Sequence, residues 1–276
     1  MAILLWDDFN IEIMKTEENL LNYCKKRVNN IHKILGISAN EFSDEDYHQL
    51  RVEIKKLHAI MEFINYCCPN FKKKKYFKPF KRFFIQSGKI RELQLEESLL
   101  EKYNTAKIEN ILLKVKEDIK KEQKSFCMMI QKKQKKKIKK AYKKIAPNLK
   151  NIPDSKVYDF IEEGKRNINS LVVKNPLDPG SLHELRKRIK QNYYSRESMH
   201  LRDKNKWEEE DNFQELLGNW HDSKTISNLI EKSIIKKKTN TDELNLLLQI
   251  DEEINANRRL LFDKINNTVE TKRLFT

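Results

Sequence analysis

His48-Gln-Leu-Arg51-Val-Glu-Ile-Lys55-Lys56 returns 135 residues further on as His183-Glu-Leu-Arg186-Lys187-Arg-Ile-Lys190-Gln191. His, Leu, Arg, Ile and Lys fall at the same steps of both stretches. A second pair follows in the same order: Ser87-Gly88-Lys-Ile-Arg91-Glu92 lines up with Leu217-Gly218-Asn-Trp-His221-Asp222, at an offset of 130. The chain has only 5 Gly, so two of them at equivalent places strengthen the pairing. Two matches in order, at nearly equal offsets, predict an internal duplication that gives two helical bundles related by a pseudo-twofold axis.

The spacing has a physical meaning. At about 100° per residue, His48, Arg51, Lys55 and His58 share one side of a helix. Leu50, Ile54, Leu57, Met61 and Ile64 step by four, three, four and three and draw an apolar stripe about a third of a turn away. One helix therefore offers a buried face and a separate basic ridge, with charges stacked roughly 5 Å apart. His183, Arg186 and Lys190 repeat the ridge. Two such ridges brought together by symmetry make a shared positive groove. An extended chain of phosphates matches that ladder: Arg binds phosphate oxygens in pairs, Lys supplies point charges, and protonated His donates from both nitrogens.

The rest of the chain reads as helix almost throughout, and nothing alternates with period two long enough for a strand. Helices are expected over about Ile11–Leu35, capped by Gly36, and from Ser43 to just before Pro69. A third covers about Phe71–Gln86 and is interrupted or bent around Gly88; a long one runs Ile108–Ile145 with Ile108, Leu112, Val115, Ile119, Phe126 and Ile130 on its buried side. Asn148–Asp154, flanked by Pro147 and Pro153, is the expected hinge between a first bundle (1–150) and a second (151–276). A helix follows over Ser155–Val172, and then the loop Asn175–Ser181. Ser181 with Glu184 reads as a capping box that starts a helix at Leu182. Further helices are expected near 205–217, 220–236 and 241–268.

Composition agrees with long solvated helices. Gly and Pro are scarce at 5 and 6, charged residues reach 35% and hydrophobic residues 38%. The formal net charge of +15 and pI near 9.4 point to an anionic partner, although a Lys-, Asn- and Ile-rich, Ala-poor composition also follows from an AT-rich genome. Position rather than total therefore decides. Lys132 to Lys144 holds nine lysines, most of them read as a solvated face, and Lys72–Lys75 are read the same way. Cys24, Cys67, Cys68 and Cys127 have no C-x-x-C spacing and read as reduced thiols. The apolar start, Met1 to Trp6, is too short for a signal peptide, and no run approaches a membrane span. A cytoplasmic protein without membrane contact is expected.

These motifs resemble the CHAD domain, named for conserved histidines on an α-helical framework. The resemblance runs from about residue 12 to 265 and implies two four-helix bundles with a basic central surface. It also implies binding of inorganic polyphosphate and association with polyphosphate granules. Carried over, the contacts are His48, Arg51, Lys55 and Lys56 in the first half and His183, Arg186, Lys187 and Lys190 in the second, with Arg82 and Arg91 as further candidates. The chain departs from the pattern at His58 and Tyr193, where a further basic residue is usual, and at Gln191. After the glycines, Arg91-Glu92 and His221-Asp222 stand in place of Arg-Asp. The ridge of the second half is thinner, so the first half is expected to dominate binding.

Each feature also has a plainer reading. His48 and His183 fit core positions if taken alone; their repetition beside Arg and Lys favours anion contact. Gly88 and Gly218 fit a tight bend or close helix approach, held by Arg91-Glu92 and His221-Asp222. His221-Asp222 suggests a metal-dependent phosphohydrolase, but the equivalent Arg91-Glu92 argues against it, since Arg does not ligate metals. There is no Gly-rich phosphate loop, no G-x-S-x-G and no Glu-x-Glu-x-Lys. No catalysis, metal or cofactor is expected. The expected partner is polyphosphate or another extended polyanion. Nucleic acid is the rival, for which Tyr193 and Tyr194 are the available stacking residues, and an accessory role to a phosphate-metabolising enzyme is a further one.

Overall fold

The computed structural model describes residues 16–38, 41–103, 108–130, 132–173, 177–201, 204–236 and 241–272. Helices and short connections account for them, and among the described residues there is no strand. In chain order the helices are α1 (Thr16–Ile34), α2 (Asp44–Cys67), α3 (Lys73–Lys102), α4 (Glu109–Met129), α5 (Lys132–Ile145), α6 (Asp154–Val172), α7 (Pro179–Ser198), α8 (Lys204–Lys236) and α9 (Thr241–Lys272). A 3-10 turn, Ala146–Leu149, joins α5 to the extended Pro153 that starts α6. The expected start at Ile11 and part of the loop from Asn175 lie outside the described residues.

The stripe on α2 is the backbone of the first core. Leu50, Ile54, Leu57, Met61 and Ile64 are all fully buried, each contributing about 1.5–3 kcal/mol by leaving water. Ser43 caps α2 through a capping box with Asp46, and Asp44 and Glu45 complement the helix dipole.

Four expected boundaries are corrected. The single helix over Ile108–Ile145 is two, α4 ending at Met129 and α5 starting at Lys132. Ile111, Val115 and Ile119 of α4 pack with Ile230, Leu247 and Ile250 of α8 and α9, whereas Ile138, Ala141 and Ile145 of α5 pack with α1–α3. The chain leaves the helical region at Ile130, and Phe126 one turn earlier already packs with the α5 residues in the first core. α3 runs unbroken through Gly88. α8 runs unbroken through Gly218: Phe213, Leu217 and Trp220, on either side of it, enter one core, and Ile230 further on enters another. Finally, α7 starts at Pro179 rather than Leu182. Asp178 is its cap, accepting from Gly180 and Ser181 N–H at 2.7 and 3.0 Å, with Pro179 suited to the first turn. Ser181 lies inside the helix and donates its hydroxyl to Asp178.

The apolar core does not divide at residue 150. The first cluster reaches Val157, Ile161 and Met199, and the third joins Leu100 and Ile111 to Ile230 and Ile250. A second cluster, with Leu182, Leu185, Leu217 and Ile265, joins α6–α9. Across these cores α2 packs on α7 and α3 on α8, and this crossing makes the groove described next. All four cysteines are free, with Cys24 buried. No helix among the described residues is long and apolar enough to cross a membrane.

Candidate functional site

α2, α3, α7 and α8 enclose a cleft of about 550 Å³. Burial of Leu50, Ile54 and Leu57 turns Arg51 and Lys55 into it, and burial of Leu182, Leu185 and Ile189 does the same for Arg186 and Lys190 on α7. His48, Lys56 and Arg91 also line the cleft. Seven of the ten residues singled out in the sequence are thus brought together from both halves.

The two motif glycines line this cleft with different consequences. At Gly88 the Arg51 guanidinium crosses α3 so closely that a Cβ would overlap Nη1. That nitrogen donates to the Phe84 carbonyl at 2.8 Å, and the guanidinium lies 4.4 Å over the Phe84 ring. Nothing stands within 4 Å of a Cβ at Gly218. Neither glycine interrupts its helix, so Arg91-Glu92 and His221-Asp222 have no break to hold. Arg91 instead turns toward Gln94, at 3.5 Å.

Electrostatics set the character of the site. Burial pushes the Lys55 ammonium down to about 7, and nearby Lys190, Arg51 and Arg186 push the same way, against Asp222. Lys190 is lowered by burial and by Arg186, again against Asp222. Burial lowers Arg51 and Arg186 too, opposed by Glu92 and Asp222 respectively. The acidic residue that ends each glycine motif thus faces the arginine of its own half. His48 is lowered by burial and by Arg91, Lys55 and Lys190, with Glu45 opposing. His221 falls to about 3 through burial, Arg186, His183 and Lys55. Three nitrogens of lining residues, Arg186 Nε, His221 Nδ1 and Gln214 Nε2, are buried without a hydrogen-bond partner among the described residues. Cations that suppress one another, and polar nitrogens left unpaired, are what an anion relieves.

Three of the singled-out residues lie elsewhere. His183 stacks beside His221, ring centroids 5.1 Å apart, and does not line the cleft. Its pKa is lowered by burial and then by Lys187, Arg186 and Lys224. Lys187 is exposed, pairs with Glu184 at 3.4 Å and faces a neighbouring recess. Arg82 is exposed on α3 and lines neither space. Lys56 reaches the cleft, but its ammonium is engaged by Glu197 at 2.8 Å, tying α2 to α7. His58 faces away, bonded to Glu62 at 3.3 Å. With Lys56 and His58 both diverted, the ground for a dominant first half is gone.

The lining that sequence reading missed is on α8: Asp211, Gln214 and Glu215 stand beside Gly218, His221 and Asp222. Their spacing of three and four is the signal of one helical face; dividing α8 at Gly218 hid it. From Lys135 onward, the lysines of α5 do not line the cleft. Lys139 and Lys143 line a shallow depression against α1, while Ile138, Ala141 and Ile145 are buried. Among the described residues no group of three or more His, Cys, Asp or Glu is placed to hold a metal ion.

Compared with known proteins, residues 34–231 match the model of the CHAD domain family, more than half of the chain and both ridge motifs. The fold is similar to the crystal structure of the CHAD domain from the plant Ricinus communis. There the TM-score is 0.77 at 13% identity, over 92% of this chain and 91% of that one. It is also similar to PptA from Streptomyces chartreusis, with a TM-score of 0.67 at 10% identity over 90% and 98%. No curated protein matches the sequence. At such identities the structures speak for the fold alone, but the family model rests on the sequence itself: this chain belongs to the CHAD domain family.

Proposed function

We propose that the protein binds inorganic polyphosphate in the α2–α3–α7–α8 cleft, by charge and shape, and catalyses no reaction on it. The observation that carries the reading is the convergence of Arg51 and Lys55 with Arg186 and Lys190 in one half-buried cleft, where Lys55 is held down to about 7 by burial and its cationic neighbours. A chain with about one negative charge per phosphate relieves that repulsion at several points at once. The unpaired nitrogens of Arg186, His221 and Gln214 favour an acceptor-rich ligand. The same reading puts the protein in the cytoplasm, at polyphosphate granules.

Nucleic acid is the second reading, favoured by the presence of Tyr193 and Tyr194 in the lining. Their rings already pack edge-on at 5.8 Å, and Lys56 lies over Tyr194, so little free aromatic face remains for a base. Competition between polyphosphate and single- or double-stranded nucleic acid of matched charge separates the two. Tighter polyphosphate binding supports the proposal, and equal or tighter nucleic-acid binding replaces it.

A further inference from the structure

Beside the cleft, behind its cationic wall, lies a second recess of about 410 Å³. Lys55, Arg186, Lys190 and Tyr194 belong to both spaces. Past them the two differ in kind. The cleft contains the carboxylates of Glu92, Asp211, Glu215 and Asp222, whereas among the described residues the recess is lined by no carboxylate and is walled by Ile54, Ala59, Phe77 and Phe84. Exposed Lys81 and Lys187 add cations to its lining.

The aromatic walls are held in place. Arg51 covers one face of Phe84. Phe77 packs against His58, with ring centroids 4.6 Å apart, and His58 is fixed by Glu62, which also binds Lys73 at 2.6 Å. His58 is therefore part of the wall rather than a free cation.

An inorganic phosphate chain presents only oxygen, so the apolar walls contribute nothing to holding it and oppose burying it. A ligand that uses both parts carries a flat apolar group on a run of phosphates. We infer that the recess binds the base of a nucleoside polyphosphate between Phe77 and Phe84, with its phosphates along Lys55, Arg186 and Lys190. The volume lies within the roughly 300–1,000 Å³ of small-molecule sites, and aromatic walls with a few convergent charges are the usual lining of such sites. The inference rests on the proposed anion-binding role of the shared wall and adds a second ligand class to it.

ATP, inorganic tripolyphosphate and long-chain polyphosphate, titrated separately into the whole protein, test it. Tripolyphosphate carries at least as much charge as ATP, so a site reading charge alone favours it. The expected result is ATP about tenfold tighter than tripolyphosphate, an advantage that Phe77→Ala removes while leaving tripolyphosphate binding unchanged. Ribose 5-triphosphate, which lacks the base, is expected to bind the unaltered protein like tripolyphosphate; this comparison needs no variant. If ATP binds no tighter than tripolyphosphate, the inference fails and the polyphosphate reading stands. If ATP binds and long-chain polyphosphate does not, the polyphosphate reading fails and the inference stands. If none of the three binds, both fail.

Discussion

Arg51 reaches the Phe84 carbonyl only because residue 88 has no side chain: its guanidinium passes over α3 where a Cβ at Gly88 would stand. The glycine that looks like a helix breaker in the sequence is a notch for an arginine of the neighbouring helix. Its counterpart Gly218 faces open space in the same cleft.

The two glycines are therefore predicted to respond oppositely to the same change. Gly218→Ala removes a helix-interior glycine without a clash and is expected to raise stability by up to about 1 kcal/mol. Gly88→Ala displaces Arg51 from its carbonyl and ring, and is expected to cost about 1–3 kcal/mol against that gain and to weaken polyphosphate binding. Denaturant melts and binding curves on the pair check this; similar behaviour of both variants contradicts the notch.

Lys55 predicts a pH dependence. In the empty cleft its ammonium titrates near 7, because burial and then Lys190, Arg51 and Arg186 disfavour the charge while Asp222 favours it. A bound phosphate chain favours the charge, so the bound pKa is higher and binding takes up a proton between the two values. Affinity is expected to rise as pH falls toward about 7 and to level below it, apart from the histidine contribution. His48 from α2 and His221 from α8 are also held neutral in the empty cleft, and they extend the rise below pH 7. Lys55→Met should weaken binding and flatten the curve above pH 7. Calorimetry in buffers of different ionisation enthalpy measures the proton uptake directly.

The halves are expected to contribute comparably. Arg51→Ala with Lys55→Ala should cost about as much affinity as Arg186→Ala with Lys190→Ala. Each lost charge-assisted contact is worth roughly 1–3 kcal/mol before screening reduces it. A tenfold or larger difference between the two double variants contradicts a groove shared equally by α2 and α7.

Lys56 separates stability from binding. Its ion pair with Glu197 is largely sheltered, with side-chain exposures of 18% and 14%. Lys56→Ala is expected to lower the melting temperature, by the equivalent of about 1–3 kcal/mol, because a largely buried carboxylate loses its cationic partner. Polyphosphate affinity should change less than twofold. A large loss of affinity at unchanged stability would return Lys56 to the ligand.

How far the sequence carried can be judged residue by residue. The α2 stripe from Leu50 to Ile64 is legible because every member enters one core at regular spacing. Arg51, Lys55, Arg186 and Lys190 follow from that stripe, since burying one face of a helix fixes the other. The break near Ile130 was not legible, because α4 and α5 both keep a helical period and no glycine or proline stands between them. Nor was the fate of Lys56, whose partner Glu197 is 141 residues away. Gly88 and Gly218 misled because glycine is a breaker by propensity, while tertiary packing keeps α3 and α8 helical through them.

The central claim is polyanion capture by one cationic cleft, and the most direct measurement is a calorimetric titration of long-chain polyphosphate at two ionic strengths. It is run on the unaltered protein and on the variant carrying both Lys55→Met and Lys190→Met. Affinity is expected to fall steeply with salt, as released counterions require, with a shallower salt dependence and at least tenfold weaker binding in the variant. Binding that is indifferent to salt, or unchanged by loss of both lysines, would contradict that claim.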